Sequence, residues 1–149
     1  MWFRWEGVAV RRGAVSPDGA PTAEFPSMPS SVPIARHLLR EDLLARRLPA
    51  RLIDDCLVVV SELVANAIRH ARPFPAADGS GRLRLGWSVT REQVWIAVTD
   101  GGGPGRPHVE SPSLIDIRGR GLAIVDAIAD EWGVTGPGPE VTVYAVVRS

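Results

Sequence analysis

Three polar residues, Glu62, Asn66 and His70, recur at four-residue intervals in the otherwise apolar stretch SELVANAIRHA. Successive residues of an α-helix turn by about 100 degrees, so positions four apart drift by only about 40 degrees and form one stripe. Alone, such a stripe reads as the solvent margin of a core helix. Its chemistry allows more, because the Glu62 carboxylate and the Asn66 amide oxygen are hard donors of the kind Mg²⁺ takes. A second group is VTDGGGPG, residues 98–105, where Asp100 ends a β-patterned run and three glycines follow. Glycine there lets backbone approach a flat or charged ligand closely. The third is RGRGLAIV, residues 118–125, in which Gly119 and Gly121 alternate with Arg118 and Arg120 just before a helical pattern that continues through Leu122. Free N–H groups and the positive end of a helix dipole make that an anion site. Gly119 follows a loop and not a strand, so this is not a dinucleotide fingerprint.

Ordered elements must hold these groups in place. Residues 1–30 are rich in proline, glycine and serine and read as loop or arm, although Trp2, Phe3 and Trp5 imply packing, as a short strand in WEGVAV. TAEFP reads as a first edge strand ending at Pro26. Ser30 or Ser31 is the expected N-cap of a helix with Pro33 in its first turn and Ile34, Leu38, Leu39 and Leu43 on its apolar face. A stronger helix is expected from near Pro49 to about Arg72. RLRLGWSVT and QVWIAVTD alternate as strands across a tight turn at Arg91-Glu92, with Leu83, Leu85, Trp87 and Val89 on one face. GLAIVDAIADEWG reads as a helix stopped by Gly133, and WGVTG with EVTVYAVV as a closing hairpin. This order implies one α/β two-layer sandwich, a mixed and mostly antiparallel sheet with helices on one face.

Composition narrows the function classes. The chain has 149 residues, enough for one cored domain, and its 17 basic residues balance 17 carboxylates. Nothing in that balance points to nucleic acid or an acidic membrane. Every basic residue other than histidine is arginine, which excludes the phosphate-binding lysine of a Walker loop. The single cysteine, Cys56 in CLVVV, reads as a small buried hydrophobe and a poor nucleophile, and it suits a reducing, cytoplasmic compartment. No apolar stretch approaches the roughly 20 residues that span a bilayer, and the N-terminus lacks a signal-peptide core.

Each motif is weak alone, but their order and spacing are specific. With Glu, Asn and His on a helix, Asp-x-Gly after a strand, and Gly-x-Gly-Leu opening a helix, the chain resembles the GHKL, or Bergerat-fold, ATPase family. Within it, the resemblance is to small actinobacterial proteins similar to anti-sigma-factor serine kinases of the RsbW and SpoIIAB type, over roughly residues 22–148. The resemblance implies the histidine kinase-like ATPase fold over residues 22–149, after an N-terminal arm at 1–21. It also implies ATP and Mg²⁺ as cofactors. On it, Asn66 binds the metal, Glu62 is the general base, and His70 walls the pocket. Asp100 accepts a hydrogen bond from the adenine amine, with Gly102 beside it. Gly119, Gly121 and their neighbours Arg118, Arg120 and Leu122 cradle the phosphates, and Thr142 completes the adenine pocket. Two departures stand out: proline occupies position 104, where the box has its second glycine, and the lid, about Gly105 to Arg118, is short and contains proline.

The function so implied is an ATP-dependent serine protein kinase that regulates transcription by partner switching. An anti-anti-sigma-type antagonist and a sigma factor are the implied partners, and homodimerisation follows by analogy. The alternative of another class is a nucleotide-gated binding module with little or no catalysis.

Overall fold

The computed structural model describes residues 2–5, 7–12, 20–70, 73–75, 81–91, 93–101, 120–136 and 140–149. Among them, β1 (Trp2–Trp5), β2 (Val8–Arg12), β3 (Thr22–Pro26), β4 (Phe74–Pro75), β5 (Gly81–Thr90), β6 (Gln93–Asp100), β7 (Glu131–Thr135) and β8 (Val141–Arg148) form one sheet. Its order is β1-β2-β3-β5-β6-β8-β7, with β4 against β5. Every described pairing is antiparallel. Helices α1 (Ser31–Ala45), α2 (Ala50–His70) and α3 (Arg120–Ile128) cover one face. The expected α/β sandwich is the fold that forms.

Period-two alternation builds the core side of the sheet. Phe25, Leu83, Leu85, Trp87, Ile96 and Val98 are buried and meet the apolar faces of α1 and α2. The Trp87 indole N–H donates to Asp42 Oδ2 at 2.8 Å, which satisfies the polar atom of the largest fully buried side chain. Helix α2 is central: it packs on α1 and α3 and lies against β6 and β8. No described helix is long and apolar enough to cross a membrane.

The caps follow local chemistry. Ser30 occupies the N-cap position of α1 without a side-chain cap bond, while the Ser31 hydroxyl donates to the Pro26 carbonyl at 2.6 Å. At the other end, Leu48 N–H donates to Leu43 O and Arg47 N–H to Leu44 O, the paired bonds of a Schellman motif. Arg47 sits there at φ 56°, a conformation that favours glycine. Arg91 likewise takes φ 54° in the two-residue turn between β5 and β6.

Three boundaries differ from the sequence expectation. β3 is not an edge strand: β2 pairs with its outer side, and β1 lies beyond. The N-terminal stretch therefore forms two strands. Helix α3 ends at Ile128 and not at Gly133, because Trp132 and Val134 turn their apolar side chains to the core as alternate residues of β7. Asp130 makes the break: its N–H donates to Val146 O, and its carboxylate accepts the Arg148 N–H at 2.7 Å.

Candidate functional site

The stripe on α2 is graded in burial. Glu62 is half-buried, Asn66 is 1% exposed, and His70, the last residue of the helix, is exposed. Leu63, Val64 and Ala67 on the adjoining face are buried in the core and fix the helix against the sheet. The Asn66 Oδ1 atom is buried and has no hydrogen-bond partner among the described residues. Buried polar atoms are satisfied in the great majority of cases, so this oxygen keeps its accepting capacity for a ligand.

Asp100 closes β6 on the same face as Val94, Ile96 and Val98, and it is 3% exposed. A close passage of the chain joins it to the end of α2. After the helix, Pro73 and Phe74 cross directly over Gly101, where a Cβ would stand 3.1 Å from the Pro73 carbonyl oxygen and 3.2 Å from Phe74 Cα. A side chain at this position would require the facing backbone to give by a few tenths of an ångström. Gly101 was missed in the sequence, although the run of three glycines was its signal.

Helix α3 begins at Arg120, so Gly121 and Leu122 lie in its first turn. Leu122 is fully buried in the core against α2, so what it offers a ligand is its backbone N–H, which has no acceptor within the helix. Gly102, Arg118, Gly119 and the lid segment lie outside the described residues, and so does the Arg120 side chain.

Thr142 is placed apart from Asp100. It pairs with Thr99, and the two hydroxyls are 2.8 Å apart on the sheet face turned away from the helices. The residue opposite Asp100 is Val141. Cys56 is fully buried, and its thiol is pushed up to about 12 by burial and, secondarily, by the Asp55 carboxylate. It is therefore no nucleophile.

A cavity of about 360 Å³ is lined by Thr90, Arg91, Gln93, Arg148 and Ser149. It lies at the opposite end of β6 from Asp100 and has no part in this arrangement. Among the described residues, no three of His, Cys, Asp and Glu converge on one point. A cation at α2 would thus rely on the Asn66 amide oxygen, few carboxylates and its own ligand.

The family model of the histidine kinase-like ATPase domain matches residues 25–145. The chain belongs to this family. Membership in the histidine kinase-like ATPase domain family implies a nucleotide site, and the match takes in α2, the end of β6 and the start of α3. Among solved structures, the ATPase domain is similar to the crystal structure of the RsbU and RsbW domains of Rv1364c from Mycobacterium tuberculosis. The TM-score is 0.60 at 21% identity, over 86% of this chain and 32% of that one, a likeness of fold. The chain thus spans about a third of that structure's length. No curated protein matches.

Proposed function

We propose that the chain binds ATP with Mg²⁺ and transfers the γ-phosphoryl group to a serine of an antagonist protein of the anti-anti-sigma type. By partner switching in the cytoplasm, this transfer would decide whether a sigma factor is held or released. Membership in the ATPase domain family and the fold shared with a structure containing an RsbW domain support this reading.

The observation that carries it is the unpartnered, buried Asn66 Oδ1 on the helix that also bears Glu62. A divalent cation fits that donor, since an amide oxygen is a hard ligand and no described residue competes for it. Held through Asn66 Oδ1, Mg²⁺ would neutralise charge on the nucleotide's phosphates. The Asp100 carboxylate, an acceptor only, suits the exocyclic amine of adenine, and Val141 across from it adds an apolar neighbour. Backbone N–H groups at the start of α3 would hold phosphate oxygens.

Glu62 lies one turn before Asn66, about 6 Å along the helix axis. Half-buried, its carboxylate is accessible to an arriving hydroxyl. Its carboxylate would accept the proton of the serine hydroxyl as that oxygen bonds to the γ-phosphorus and ADP departs with the bridging oxygen.

Incubation with γ-labelled ATP and the cognate antagonist tests this: a labelled serine is expected, and intact ATP binding without transfer would refute the kinase reading. Pro104 in place of the second box glycine favours the second reading, a nucleotide-gated binding module. Glu62→Ala separates the two. A kinase should lose about a hundredfold or more in turnover, whereas equal background rates in wild type and variant would identify a binding module.

A further inference from the structure

The hairpin β1–β2 precedes residues 25–145, the span matched by the family model, yet it continues the family sheet by two strands. On the sheet face away from the helices it gathers charges that are far apart in sequence. Strand register aligns Trp2 with Arg11, Arg11 with Glu24, and Glu24 with Arg84 across four neighbouring strands. Arg82 reaches beneath the hairpin. Its guanidinium donates to the carbonyls of Ala9 at 2.9 Å and Glu24 at 3.1 Å, and it lies 4.5 Å from the centre of the Trp2 ring. Trp2 is 55% exposed even with that stack. Arg4 is also exposed on this face, and Arg11 and Arg84 share the partly buried Glu24. Four guanidinium groups thus meet two described carboxylates, Glu24 and, at 4.0 Å from Arg84, Glu140. Among the described residues this is a local excess of positive charge, in a chain whose formal net charge is zero.

The backbone beside this cluster is open. β1 is the terminal strand of the sheet, with no described strand on its outer side, so half of its N–H and C=O groups are directed away from β2. We propose that this edge and the Trp2–arginine face form a docking surface for an extended acidic segment of a partner protein, which adds as a strand alongside β1. Main-chain hydrogen bonds would supply the register. Carboxylates on alternate residues of the segment would face Arg4 and Arg11, and Trp2, an exposed ring already held flat by Arg82, would anchor the contact. An open strand edge selects a polypeptide over nucleic acid or lipid, neither of which can use it. The surface is independent of the nucleotide site on the helix face.

Fluorescence anisotropy with a labelled peptide of about ten alternating valine and glutamate residues provides the test. Saturable binding is expected, weakened by salt and by at least about tenfold in Trp2→Ala and in Arg4→Glu. Both variants should keep wild-type circular dichroism and ATP affinity. Bound peptide should also slow hydrogen exchange at β1 amides, which charge attraction alone would not do. The proposal is overturned by absence of saturable binding, by equal binding of a peptide of the same length with lysine in place of glutamate, or by variants that bind as wild type. Tighter binding to single-stranded DNA or to phosphatidylglycerol vesicles than to the acidic peptide would overturn it as well.

Discussion

A buried amide oxygen without a partner costs a free protein about 1–3 kcal/mol, and Asn66 Oδ1 is in that position. Asn66→Leu, which keeps the side chain's shape, should therefore raise the stability of the ligand-free protein by roughly 1 kcal/mol. A higher urea midpoint at unchanged slope would show this. At Asp100, the carboxylate only accepts hydrogen bonds, so Asp100→Asn should lower the preference for ATP over GTP by about tenfold or more in competition binding. Preserved preference would remove Asp100 as the adenine reader. Cys56 gives a pH prediction. The folded thiol holds its proton to about 12, against an ordinary value of 9.0. Its contribution to stability is complete below pH 9.0 and is lost as pH rises towards 12. Urea stability of the wild type should fall across that window more steeply than that of Cys56→Ala. At this scale the sequence was informative, because helical periodicity alone aligns Glu62, Asn66 and His70. It did not disclose that burial peaks at Asn66 and is lost by His70, since that depends on where α2 ends against the sheet.

Among the elements, local signals worked where chemistry is local. Alternation in RLRLGWSVT located β5, and the apolar face of α2 was evident from its spacing. They failed where tertiary packing chose between options. DEWG extends the helical pattern of α3, but Trp132 and Val134 bury better as alternate residues of β7. Register also stayed hidden: a strand slipped by one residue exchanges its two faces, and only the pairing of Val141 with Asp100 shows that Thr142 faces away. The Schellman cap of α1 carries a testable cost. Arg47 holds a left-handed conformation there, so Arg47→Gly should stabilise the protein by about 0.5–1 kcal/mol, read as a raised thermal midpoint. An unchanged or lowered midpoint would mean that the arginine side chain compensates for its backbone.

For the whole molecule, motif order was enough to reach the family, whose match takes in the elements that carry the motifs: α2, the end of β6 and the start of α3. The N-terminal hairpin was only half legible. Its aromatic residues signalled packing, but Arg82 and Trp2 are 80 positions apart in the chain and meet only in the folded sheet. On the proposed function, nucleotide binding depends on a divalent cation held by Asn66. Isothermal titration of ATP into wild type and Asn66→Leu, each with Mg²⁺ and with a chelator, tests it most directly. Wild type should bind at least about tenfold more tightly with Mg²⁺, a gain of about 1.4 kcal/mol, and the folded variant should show no such gain. An equal Mg²⁺ effect in both proteins, or no ATP binding by wild type, would contradict the account.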